Sequence, residues 1–140
     1  TRRQRDPLRR VLAWKSQVVH LKHVPPGEFV GHGTSYLTDR ARTIAVVPVG
    51  YASGYSRQLS NVGRVLVHGR RVGVVGMVNM SMLLVNVTDV PDVNLGDEVV
   101  LIGKQKRREI TVASFSDLAG QLNYEMLVKL DPTIPRTVVK

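Results

Sequence analysis

Apolar residues recur along this chain in short runs closed off by glycine, proline and polar residues, and rarely at helical spacing. Such runs predict strands rather than helices. A strand-like stretch covers Val11 to Val24, with Trp14, Val18, Val19 and Leu21 set among charges. Pro25-Pro26-Gly27 predicts a turn, Glu28 to Val30 a short strand, and Gly31-His32-Gly33 a loop between permissive glycines. Thr43 to Val49 is expected to be a core strand, continuous and apolar from Ile44, and it stops at Gly50. Val62–His68 and Arg71–Val78 predict a hairpin about His68-Gly69-Arg70. Further strands are expected over Met82–Val87, Asp97–Ile102 and Glu109–Thr111, the last reached through Lys104–Arg108. Helices are confined to the end. Ser114 is placed to cap one running through Leu118, and Asn123 starts another that Asp131-Pro132 ends. Many short strands followed by short helices predict a mainly β barrel or sandwich with a small helical appendage.

At 140 residues the chain is one domain by length. No apolar run reaches the roughly 20 residues of a membrane-spanning helix, and the N-terminal arginines lead into no secretory core. There is no cysteine, which excludes disulfides and thiolate metal sites and is compatible with a reducing, cytoplasmic setting. The chain opens at Thr1 rather than methionine, as expected of an excised piece carrying part of a site. Residues 1–9 are expected to be the remnant of a preceding domain or linker, and residues 10–140 the β domain itself.

The net charge is +9. Five of the twenty basic residues lie in TRRQRDPLRR and four in KQKRR, Lys104 to Arg108. A basic module of this kind could take nucleic acid. Neither run has the interleaved aromatics of a single-strand binding surface. A solvated tail and a solvated hairpin tip therefore outweigh that reading. A salt-dependent binding assay separates the two, because phosphate-driven association weakens steeply with salt.

Candidate chemistry is sparse. His20 and His23 are spaced to face opposite sides of a strand, which argues against a metal pair. His68 reads as a turn residue, and His32, between two glycines, is the one histidine whose backbone suggests close approach to something. Tyr51 and Tyr55 either rest on the barrel rim with their hydroxyls in water or line a cleft with Arg57. Tyr124 is either a cap on the core or an anion contact. From these residues alone, no acid/base pair and no nucleophile is assigned.

The ordered segments VPVGYASGYSR, VLVHGRRVGVVGMVNM, VTDVPDVNLGDEVVLIG, the Asn123-Tyr124-Glu125 triplet and the closing IPR resemble the C-terminal domain of alanine racemase. So does the opening LRRVLAWKSQVVHLKHVPPGEFVGHG. The resemblance covers about Leu8 to Arg136. It implies a closed Greek-key-like β-barrel with short C-terminal helices. It also implies that a preceding α/β barrel holds pyridoxal phosphate on a lysine, within a head-to-tail homodimer. Each active site would pair one subunit's barrel with its partner's C-terminal domain. The implied activity is interconversion of L- and D-alanine, which supplies D-alanine for peptidoglycan, and the isolated chain is expected to be inactive. A domain that only cements the dimer is a further reading.

Site roles follow from the resemblance. One base is the barrel lysine, and the other is a tyrosine in a Gly-Tyr-Gly loop, where this chain has His32. Met80 is expected to offer its backbone amide to the substrate carboxylate. Tyr51 and Arg57 are expected to line the access to substrate, and Tyr124 to bond the cofactor phosphate. The chain departs from the family at Ser53, where aspartate is usual, and at Asn86, another common aspartate. It departs again across Gly76-Met77-Val78-Asn79-Met80-Ser81-Met82, where the family has GRxCMDQ. These departures are expected to cluster near the pocket.

Overall fold

The structure, a computed structural model, describes residues 12–27, 29–30, 36–37, 40–111 and 134–135. The expected helices after Ser114, together with His32 and Tyr124, lie outside the described residues. Among the described residues ten strands follow one another: β1 (Trp14–Gln17), β2 (His20–Val24), β3 (Phe29–Val30), β4 (Tyr36–Leu37), β5 (Arg42–Val47), β6 (Arg64–Val67), β7 (Arg70–Val75), β8 (Leu83–Asn86), β9 (Glu98–Gln105) and β10 (Arg108–Ile110). Eight form one sheet in the order β1-β9-β6-β7-β8-β5-β2, with β10 added on β9, while β3 and β4 pair separately. Every pairing is antiparallel.

The mainly β expectation holds, and among the described residues no ladder closes the sheet. Its two edge strands, β1 and β2, are consecutive in the chain. Between them the Val18 amide donates to the Asp97 carbonyl at 3.0 Å, and the Gly96 amide donates back to Val18 at 2.8 Å. The next amide, Val19, donates to Val46 at 2.9 Å. One continuous segment thus leaves β9 and joins β5, so the two ends of the sheet are linked through the backbone. The stretch expected as a single strand over Val11–Val24 is this bent segment.

Turn chemistry sets the hairpins. Val67 opposes Arg70, leaving a two-residue loop of His68 and Gly69, both left-handed at φ 52° and 73°. Two such residues match the right-handed twist of the flanking strands. Between β9 and β10 the two-residue loop has one left-handed residue, Lys106 at φ 54°. Trp14, Val47, Tyr55, Leu59, Val65, Leu66, Val67, Leu83, Val85 and Leu101 belong to one buried cluster.

His68 adds a tie that its turn position did not suggest. Its Nε2 lies 2.6 Å from Asp97 Oδ2, which also accepts the Asn94 amide at 2.8 Å. The Asn94 amide above all holds the Asp97 carboxyl below its usual range; burial opposes it, and the hydrogen bond and charge of His68 add smaller contributions in the same downward direction. A carboxyl with a depressed folded-state pKa stabilises the fold fully above its unfolded value. That contribution is lost as pH falls through the folded value. The acid limb of stability should therefore steepen below pH ~4, the ordinary aspartate range. In Asp97→Asn it should flatten. Urea midpoints measured from pH 2 to 6 check this, and identical limbs in the two proteins would remove Asp97 from the acid response.

Candidate functional site

The site begins where β5 ends. Gly50 has an ordinary extended backbone, φ −147° and ψ −166°, so glycine is not required there for its torsion. It is required for space. A Cβ at Gly50 would lie 2.1 Å from the Asn79 carbonyl oxygen and 2.5 Å from the Met80 carbonyl carbon and oxygen. The closeness is used at once, because the Tyr51 amide donates to Asn79 and the Ala52 amide to Met80, each at 3.0 Å. The segment between β7 and β8 is thereby bonded to the segment after β5.

From Tyr51 the chain makes two 3-10 turns, Tyr51–Ser53 and Arg57–Leu59. The first closes at Gly54, left-handed at φ 110°. The second is capped by Ser56, whose Oγ accepts the Gln58 amide at 3.1 Å. These turns sort the side chains. Leu59 and Tyr55 go inward, Tyr55 to 1% exposure, with its ring centroid 6.3 Å from that of Trp14. Tyr51 and Arg57 go outward, and the guanidinium carbon stands 5.7 Å from the Tyr51 ring centroid, within cation–π range. Burial pushes the Tyr55 phenol well above its ordinary pKa, with a smaller opposing pull from Arg64. Tyr55 is therefore a core residue and not, as its spacing suggested, part of a rim or cleft.

Around Tyr51, at 45% exposure, lie two further exposed apolar side chains, Met80 at 59% and Met82 at 39%. The Asn79 amide donates to the Met82 carbonyl at 3.0 Å, which turns this segment back on itself. Among the described residues, nothing accepts from the Met80 amide, and no carboxylate lies within 4 Å of the Arg57 guanidinium. Among the described residues, this side of the molecule offers a phenol, a cation with no paired carboxylate, a backbone donor with no acceptor, and soft apolar side chains. Such a set suits a small carboxylate with a short apolar tail.

Three of the five residues singled out in the sequence are thus brought together: Tyr51, Arg57 and Met80. β3 and β4 pair Phe29 with Leu37 and Val30 with Tyr36; His32 lies outside the described residues. Asn86 is not near this site. It sits at the far end of β8, opposite Ile44, and its Oδ1 accepts the Thr88 amide at 3.1 Å and the Thr88 hydroxyl. It serves a turn, which also explains why an amide suffices there. The Lys104–Arg108 run is an exposed hairpin tip as expected. With Arg64, Arg70 and Arg71, the run's Lys106, Arg107 and Arg108 line an open hollow of about 1090 Å³. Sequence reasoning passed over Ser60 and Asn61. Asn61 Oδ1 accepts the Gly76 amide at 2.6 Å and Ser60 Oγ accepts the Val78 amide at 2.8 Å. The one available signal was an Asn-bearing polar turn just after the tyrosine-rich stretch.

Comparison with known proteins gives a consistent result. The family described as alanine racemase, C-terminal domain, matches residues 11–138. An alanine racemase of Halothermothrix orenii is 46% identical over 129 residues, which cover 92% of this chain and 34% of that protein. The crystal structure of alanine racemase from E. faecalis superposes with a TM-score of 0.83 at 32% identity, over 89% of this chain and 33% of that one. An alanine racemase from Bartonella henselae, solved with covalently bound pyridoxal phosphate, superposes at TM-score 0.76 and 32% identity, over 83% of this chain and 32% of that one. The chain spans about a third of the length of these relatives. No helix among the described residues is long and apolar enough to cross a membrane.

Proposed function

This chain belongs to the alanine racemase C-terminal domain family, and on that premise we propose that it forms one wall of the substrate pocket in a longer pyridoxal-phosphate-dependent racemase acting on alanine. The observation that carries this reading is the backbone clamp between Gly50–Ala52 and Asn79–Met80. It uses the Met80 carbonyl and leaves the Met80 amide without an acceptor among the described residues, beside the Tyr51–Arg57 pair. In this reading the Met80 amide donates to the substrate carboxylate, while Tyr51 and Arg57 shape and polarise the approach to it. His32 holds and moves the proton at Cα on the face opposite the lysine. Residues 1–9 end the preceding domain, and residues 10–140 pack against that domain of their own and of a partner subunit in a cytoplasmic homodimer.

The described residues fit the outer wall of a cofactor pocket and not its floor, because the exposed group at Tyr51, Arg57, Met80 and Met82 encloses nothing by itself. Tyr124 is the residue of this chain assigned to the cofactor phosphate. When bound, pyridoxal phosphate supplies the electron sink that makes the Cα proton removable. This chain contributes orientation and one proton-transfer group.

The test is racemisation of alanine by the full-length protein loaded with pyridoxal phosphate. We expect conversion in both directions, slower than the ~10 s⁻¹ typical of enzymes, and none from the chain alone. A loaded full-length protein that leaves both enantiomers unchanged would sink the reading.

A further inference from the structure

The segment that carries Met80 is held from one side by two side chains to which no role has so far been given. The Gly76 amide, where the chain leaves β7, donates to Asn61 Oδ1 at 2.6 Å. Two residues on, the Val78 amide donates to Ser60 Oγ at 2.8 Å, while the Ser60 hydroxyl donates to the Arg57 carbonyl at 2.6 Å. On the other side stand the bonds from Tyr51 and Ala52 to Asn79 and Met80. The backbone groups at residues 76, 78, 79 and 80 are therefore tied in turn to residues 61, 60, 51 and 52. We propose that Ser60 and Asn61 are positioning residues of the substrate pocket, fixing the Met80 amide for a carboxylate and, through the Ser60 hydroxyl, coupling it to the turn that aims Arg57.

The argument is one of degrees of freedom. The stretch from Gly76 to Met82 has no strand pairing of its own. Left to itself it would sample several backbone conformations, and a donor that wanders by ~1 Å can cost ~10²-fold in a reaction that depends on its placement. Two side-chain acceptors on consecutive residues remove that freedom. Their own backbone is set for it. Ser60 ends the second 3-10 turn, its amide bonded to the Arg57 carbonyl at 3.0 Å. Asn61 is left-handed at φ 63°, a conformation asparagine adopts more readily than most residues. Because the Ser60 hydroxyl both accepts from Val78 and donates to Arg57, one oxygen links the free amide's segment to the free cation's turn.

This proposal rests on the reading of Met80 as the carboxylate donor, and its test separates the two. Binding of acetate, the simplest carboxylate probe, is measured by calorimetry on the full-length protein, alongside KM and kcat for alanine. Ser60→Ala and Asn61→Gly each remove one acceptor, and glycine keeps the left-handed backbone of residue 61 unstrained. Each is expected to weaken acetate binding and raise the alanine KM by ~10-fold, with kcat moving less. Ser60→Thr and Asn61→Asp, which keep the acceptor, should restore both. A role in folding alone would lower the melting temperature and leave acetate affinity and KM of the folded enzyme unchanged, which overturns the proposal. If Ser60→Ala does not fold, Asn61→Gly decides the matter on the same readings. Acetate binding that depends on Ser60 in a protein that does not racemise alanine would keep the positioning role and discard the activity. Absence of acetate binding in the unaltered protein would overturn both.

Discussion

Replacing Gly50 with alanine is expected to cost about 3 kcal/mol or more of stability, the upper end of what overpacking usually does. The added carbon would meet backbone atoms, the carbonyls of Asn79 and Met80, at 2.1 and 2.5 Å. Backbone cannot swing aside as a side chain can, so the two segments must separate. Separation breaks the bonds from Tyr51 to Asn79 and from Ala52 to Met80. Those bonds also place the Met80 amide, so stability and substrate affinity should fall together. For a domain of this size the melting temperature should drop by roughly 10 °C, and the alanine KM should rise. Gly73→Ala is the control. Its nearest neighbour would be the Arg64 guanidinium at 3.4 Å, an ordinary contact with a mobile side chain. A Gly50→Ala protein as stable as Gly73→Ala would show that the clamp yields without cost.

Much of this architecture was readable in the chain because its signals are local. The run Ile44–Val49 is apolar throughout, and β5 enters it from Arg42 and ends at Val47, shortly before Gly50. His68-Gly69 marks a tight hairpin, and β6 and β7 meet there, although Arg70, expected in the turn, is already paired with Val67. What escaped was non-local. That Trp14–Val24 is one bent segment serving both edges of the sheet depends on partners near positions 97 and 46. Tyr51 and Tyr55 look alike in GYASGYSR, yet two 3-10 turns send one to solvent and one to the core. Asn86 looked like a pocket residue by its alignment with a family aspartate. Its strand carries it to the opposite end of β8 from Met80, where local bonds to Thr88 occupy it. Ser60 and Asn61 act on residues 18 and 15 positions away, and His68 on one 29 away. No periodicity announces such pairs.

Alanine at position 32 should reduce racemisation by ~10²- to 10⁴-fold, the range general acid–base catalysis supplies. An unperturbed imidazole titrates near ~6.5 and a phenol near ~10, so histidine is the better matched proton carrier at neutral pH. Reach works against it, since an imidazole nitrogen ends closer to the backbone than a phenol oxygen, and a misfit of ~1 Å can cost ~10²-fold. The two effects make different predictions for His32→Tyr. If reach limits the rate, tyrosine raises turnover; if proton affinity limits it, turnover falls. The stronger test follows the α-hydrogen. Racemisation needs proton transfer on both faces of Cα, but exchange with solvent needs only one. In His32→Ala the base on the opposite face is intact. One alanine enantiomer should still exchange its α-hydrogen for deuterium, while inversion stops. That split is specific to loss of one of two bases, because a damaged fold or a lost cofactor would stop exchange and inversion together. Inversion that continues undiminished in His32→Ala would remove this residue from the reaction and leave the second face of the pocket to another group.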